Sequence, residues 1–169
     1  MKKFDDYSLS KQSWLRLCKK FNVPSDFIPK CIGAGRETKV FSFGPSFVLK
    51  FSRKVTDAGK AVLKTKRKTL PYIAKCLAVV RASSVQSNDA VCIVVERCIS
   101  VDDWDEIEFI DKFANYYNDS FPEPDQRFKQ AKTLLKKTGC RRIHDLISNN
   151  IMKTPSGELV ISDHGCLLF

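Results

Sequence analysis

Three oxygen-bearing side chains at two fixed intervals constrain this chain more than any other feature. Asp145 and Asn150 are five positions apart, and Asp163 follows Asn150 by thirteen. They lie in the runs Ile143-His144-Asp145-Leu146-Ile147-Ser148-Asn149-Asn150-Ile151-Met152 and Val160-Ile161-Ser162-Asp163-His164-Gly165. Between the runs, Thr154-Pro155-Ser156-Gly157-Glu158 has the Pro and Gly chemistry of a tight turn. The short apolar flanks Asn150-Ile151-Met152 and Leu159-Val160-Ile161 predict a β-hairpin. Such a hairpin gathers the three polar groups: Asn150 and Asp163 as hard oxygen ligands suited to Mg²⁺, Asp145 as a group able to orient or deprotonate a hydroxyl. A surface hairpin with a capping Asn explains any one of these residues but not the set.

A second informative stretch lies upstream. Ile32-Gly33-Ala34-Gly35-Arg36-Glu37-Thr38-Lys39-Val40-Phe41 predicts strand, Gly-containing turn and strand, and Phe47-Val48-Leu49-Lys50-Phe51 a third strand after the turn at Gly44-Pro45. Two glycines in G-x-G alone are weak evidence, because glycine marks many hairpins. Here a valine, Val40, and a strand carrying Lys50 follow them.

Taken together, these motifs resemble the protein-kinase-like superfamily, with its H-x-D-x-x-x-x-N loop followed by D-x-G. The resemblance implies an α+β, two-lobed protein-kinase-like fold. Residues 1–96 would form an N-lobe with a five-stranded antiparallel sheet, and residues 97–169 a truncated, mainly helical C-lobe. It implies ATP and Mg²⁺ as cofactors. Asp145 would be the catalytic base or positioner, and Lys50 the phosphate-gripping lysine. Asn150 and Asp163 would be the metal ligands, with Gly33 and Gly35 over the phosphates. By the same resemblance Val95 is a gatekeeper and Glu96 to Cys98 offer backbone groups to adenine. Ile32, Val40, Val48 and Met152 would sandwich the base.

The chain departs from the family in several places. The third glycine of the loop is Thr38. No acidic residue lies between Asp57 and Asp89, where the family's helix glutamate would pair with the lysine; Lys64-Thr65-Lys66-Arg67-Lys68 stands there instead. Lys50 would then be held by another carboxylate, such as Asp163, or the chain is a weak enzyme or pseudokinase. His144 abuts Asp145, Ile147 stands where Ser/Thr kinases carry a lysine, and His164 replaces the phenylalanine of the metal motif. Four residues follow Gly165, so no activation segment or long peptide platform is expected. The compact layout and the Asn149-Asn150-Ile151-Met152 hairpin are most similar to the early Ser/Thr protein kinases of T7-like bacteriophages. That likeness implies a viral enzyme in the host cytoplasm that phosphorylates host proteins. A pseudokinase that binds and inhibits a host protein, and a small-molecule phosphotransferase, remain as alternatives.

Periodicity predicts helices over Ser8 to Phe21, with Ser8 or Ser10 as cap, over Thr56 to Lys68, Val101 to Asn118 and Pro124 to Thr138. Strands are expected over Cys76 to Val80 and Val91 to Glu96. The seven cysteines form no C-x-x-C pair and read as reduced core residues, and no zinc-ligand spacing occurs. No apolar run is long enough for a membrane span, and the N-terminus shows no secretory h-region. With 29 Lys and Arg against 19 Asp and Glu, the net charge is +10. The basic residues are scattered without interleaved aromatics, which argues against nucleic acid; by the resemblance to the phage kinases, the basic balance would suit acidic host proteins.

Overall fold

The computed structural model describes residues 1–35, 38–66, 68–120, 126–144 and 146–169. Its centre is an antiparallel sheet of seven strands: β1 (Lys2–Phe4), β2 (Tyr7–Leu9), β3 (Cys31–Ala34), β4 (Thr38–Phe43), β5 (Phe47–Arg53), β6 (Ala78–Ser84) and β7 (Ser87–Glu96), in the order β1-β2-β6-β7-β5-β4-β3. The expected five strands are therefore joined by a further hairpin, β1–β2, which extends the sheet where Tyr7 pairs with Ser84. Three-residue strands interrupted by Asp5 and Asp6 carry no usable alternation, and the free edge of β6 decides their place. This hairpin also corrects the start of the first helix. Ser8 lies in β2, and α1 runs Lys11–Phe21 with Ser10 as cap, its side chain accepting from Ser13 N–H. Asn22 ends the helix in the left-handed region at φ 53°.

Strand β5 lies between β4 and β7, and the period of two sends its residues to opposite faces. Leu49 and Phe51 are fully buried in an aromatic core with Phe4, Trp14, Phe41 and Phe43, which α1 covers. Val48 lies on the other face in a smaller cluster with Val91, Ile93, Val95 and Val62. Lys50 shares that face by the same alternation, opposite Val40 on one neighbour and Ile93 on the other.

Helix α2 (Asp57–Thr65) follows β5 directly. It ends short of the predicted Lys68, before the like-charged run that follows. Thr56 caps it by accepting from Gly59 N–H at 3.2 Å. A Cβ on Gly59 would lie 2.1 Å from the Arg53 carbonyl oxygen, so glycine alone allows the helix to start this close to the strand.

The second half is built on helices α3 (Trp104–Tyr117, capped by Asp103) and α4 (Gln126–Lys136). Ile110, Phe113, Tyr117, Phe128 and Leu135 form its core, together with Ala61, Leu70 and Ile73 from the first half. A three-stranded sheet joins β8 (Ile99–Ser100), β10 (Ile151–Lys153) and β11 (Leu159–Ile161), with β10 central. The β10–β11 turn closes at Gly157, φ 87°, where Gly157 N–H reaches the Thr154 carbonyl at 2.9 Å. Strands β9 (Arg142–Ile143) and β12 (Leu167–Leu168) pair antiparallel. The Asn118 amide clamps β9 on both sides, donating to Ile143 O at 2.6 Å and accepting from Ile143 N–H at 3.0 Å. Among the described residues no helix is long and apolar enough to cross a membrane.

The backbone collision at Gly59 has a direct consequence. Gly59→Ala forces α2 off β5 and is expected to lower stability by at least the ~1–3 kcal/mol typical of overpacking. Urea denaturation reads this; a midpoint equal to wild type would mean that the helix start has slack.

Candidate functional site

One cleft of about 630 Å³ runs between the seven-stranded sheet and the β10–β11 hairpin. Its sheet side carries Gly33, Gly35, Val40, Val48 and Lys50, and its hairpin side Asn150, Met152 and Asp163. Val95, Glu96 and Cys98 line the segment joining the two, and Ile32 lies at the edge. The sequence-predicted site residues thus meet in one place, except Asp145, which lies outside the described residues, as do Arg36 and Glu37 of the Gly-containing turn.

Lys50 reaches across the cleft from β5. Its Nζ donates to the backbone carbonyl of Ser162 at 2.5 Å. Burial pushes its pKa below the ordinary lysine value, and the Asp163 carboxylate opposes that shift. The expected ion pair is not made: among the described residues no carboxylate lies within 4.0 Å of Lys50 Nζ. Asp163 acts on it from further away. Helix α2 turns Ala58, Ala61, Val62 and Thr65 inward, and its one acid, Asp57, pairs with Lys60 at 3.3 Å.

Asp163 is held by its own turn. Its Oδ1 accepts from Gly165 N–H at 2.9 Å and caps the 3₁₀ turn His164–Cys166. A Cβ at Gly165 would stand 3.2 Å from that oxygen and 3.6 Å from Ala58 Cβ, which explains the glycine in this position. Asn150 closes the 3₁₀ turn Ser148–Asn150; its carbonyl accepts from Ser162 N–H at 2.7 Å, and its amide nitrogen donates to Cys166 Sγ at 3.4 Å. That arrangement leaves the amide oxygen to serve as a ligand.

The donor set fits Mg²⁺ of the kind completed by phosphate and water: one carboxylate and one amide oxygen on adjacent strand ends. Among the described residues no three His, Cys, Asp or Glu side chains gather into a self-sufficient metal cage. The glycines fit a nucleotide as well. Neither Gly33 nor Gly35 has a positive φ, and a Cβ on either would meet the protein only at ordinary contact distances, 3.7 and 3.8 Å. The fold therefore does not demand glycine there, and the space a Cβ would fill is cleft.

Cleft features outside the predicted set include Ala74, Asn149 and the Ser162 carbonyl. Ala74 comes from the irregular segment before β6, held by Ala74 N–H to Ile161 O at 3.1 Å and Ile161 N–H to Tyr72 O at 2.7 Å. No periodicity marks such a segment. Of the backbone groups expected to face adenine, Arg97 N–H is committed to the Ser46 carbonyl at 2.9 Å. Burial pushes the Cys98 thiol pKa up, against the pull of Lys50.

His164 lies behind Asp163 and is buried. Among the described residues neither ring nitrogen makes a hydrogen bond of good geometry, and a looser backbone contact from Ala74 favours the protonated ring. Burial first, then the Lys50 charge, lower its pKa from 6.5 to about 4.

No family model matches this chain, and no curated protein does. Among solved structures, it is similar to one described as "Co-crystal structure of WbdD and kinase inhibitor LY294002", with 16% identity and a TM-score of 0.41 over 86% of this chain. The chain spans about a third of that protein's length, 34%. A likeness this loose carries no argument about fold or activity.

Two measurements follow from this geometry. The unfolded chain binds the His164 proton at higher pH than the folded one, so stability falls as pH drops from 6.5 towards about 4. The loss is worth up to about 3 kcal/mol, and His164→Leu is expected to flatten this part of the profile. An unchanged slope would place the acid sensitivity elsewhere. Gly33→Ala is expected to keep the wild-type melting temperature without ligand and to weaken nucleotide binding. Calorimetry with ATP decides, and equal affinity would dissociate Gly33 from the ligand.

Proposed function

We propose that this chain is an ATP- and Mg²⁺-dependent phosphotransferase acting on protein hydroxyl groups. The observation that carries this reading is the meeting of Gly33, Gly35, Lys50, Asn150 and Asp163 around one cleft, although they come from segments more than a hundred residues apart. Lys50 would leave the Ser162 carbonyl to grip phosphate oxygens. Gly33 and Gly35 let the backbone approach the phosphates. Asn150 and Asp163 would hold Mg²⁺, which when bound neutralises charge on those oxygens. Val40, Val48 and Met152 would enclose the base. Asp145 would orient the acceptor hydroxyl and take its proton. The resemblance to T7-like phage kinases extends the proposal to a viral Ser/Thr kinase working on host proteins in the host cytoplasm.

One observation favours a second reading, a nucleotide-binding module without transfer. Lys50 is satisfied by a backbone carbonyl and, among the described residues, has no acidic partner of the kind that positions such a lysine in active kinases.

Radiolabelled ATP with Mg²⁺ and a bacterial lysate separates the two. Wild type is expected to label protein and Asp163→Asn to lose the labelling. Asp145→Ala is expected to bind ATP normally yet transfer about 10²–10⁴-fold more slowly. Nucleotide binding with equal labelling by all three proteins, or by none, would leave the binding module standing.

A further inference from the structure

Beside the mouth of the cleft lies a second groove, of about 370 Å³, between the start of α3 and the Ser148–Asn150 turn. Val101, Ile107 and Ile151 supply apolar lining, and Trp104 and Asp102 stand on the rim. Asn149 lines both this groove and the larger cleft, so the two open beside each other.

Trp104 is 77% exposed. Water-exposed tryptophan is unusual in a protein surface and is enriched where partners bind. The other tryptophan, Trp14, is buried with its Nε1–H donated to Ser25 O at 2.8 Å, so exposure is a property of this position. Around Trp104 the charge is negative although the protein carries +10. Asp102, Asp103 and Asp105 are all exposed, and among the described residues none of them makes an ion pair. Helix capping accounts for Asp103, which accepts from Asp105 N–H at 2.9 Å, and the helix dipole favours Asp105. Neither accounts for Asp102 or for the uncovered indole.

We propose that this groove seats a basic segment of the protein substrate, anchored by an apolar side chain against Trp104, with Asp102 and Asp105 pairing its cations. The proposal rests on the phosphotransferase reading. It replaces the expectation drawn from net charge, that acidic proteins are the targets: the charge that selects a substrate is the charge beside the cleft, and there it is acidic. Opposite charges across such a contact set specificity and encounter rate. An extended segment advances about 3.3 Å per residue, so cations held at the start of α3 would lie only a few residues from the hydroxyl presented at the cleft mouth.

The test uses the full chain and a fluorescein-labelled extended peptide carrying a serine, a leucine and flanking lysines, beside a counterpart with glutamate for lysine. Fluorescence anisotropy is expected to show binding of the lysine peptide, weakened by salt, and none of the glutamate peptide. Trp104→Ala should weaken binding about thirtyfold, and the double variant D102K/D105K should invert the preference. The melting curve of Trp104→Ala should stay near wild type, because the side chain is exposed, and that of D102K/D105K should fall by only a few degrees, the lost helix-dipole contribution of Asp105. Equal affinity for the two peptides, or indifference to both variants, overturns the proposal. Adding ATP and Mg²⁺ separates it from the reading beneath it. A peptide that docks as described but is never phosphorylated sinks the phosphotransferase and keeps the groove. A peptide phosphorylated regardless of these variants keeps the enzyme and sinks the groove.

Discussion

An ammonium group taken out of water must find compensating polar partners, and the architecture of this protein follows from how Lys50 does so. Burial lowers its pKa, and the Ser162 carbonyl and the more distant Asp163 charge offset part of that cost. The contact ties an interior strand of the large sheet to the end of the β10–β11 hairpin, 112 residues later in the chain. Because β5 pairs on both edges, the position of Lys50 is set by the sheet, and Lys50 in turn registers the hairpin against it.

The same junction is braced from behind. Helix α2 starts within backbone contact of β5 through Gly59 and meets Gly165 through Ala58. It therefore packs against both the strand that carries Lys50 and the turn that carries Asp163. The helix turns Ala58, Ala61, Val62 and Thr65 inward, so it braces this junction by close packing of small side chains. His164 fills the space beneath with an imidazole that, among the described residues, makes no hydrogen bond of good geometry. An unsatisfied buried ring is a local cost that a fold tolerates near a functional site more readily than in its general core.

Net charge describes this surface poorly. The +10 is a sum over basic residues scattered along the chain, and at the start of α3 Asp102, Asp103 and Asp105 flank an exposed tryptophan. With a Debye length of about 8 Å at physiological salt, local charges count for more than the total: Lys50 and Arg97 line the cleft, and Asp102 lines the groove beside it.

Much of this could be read from residue order. The strand that carries Lys50, the Ser10 cap and the Gly157 turn are local, and local geometry is written in neighbouring residues. The β1–β2 hairpin was not legible, because its short polar strands are placed by the edge they join. Nor was the partner of Lys50, because every residue has a carbonyl and only folding selects the one at Ser162. Ala74 entered the cleft, and Trp104 stayed out of the core, for the same reason. Sequence determined which chemical groups recur at hairpin and strand spacing; tertiary structure decided which of them face each other, since burial and pairing depend on segments that meet only when the chain is packed.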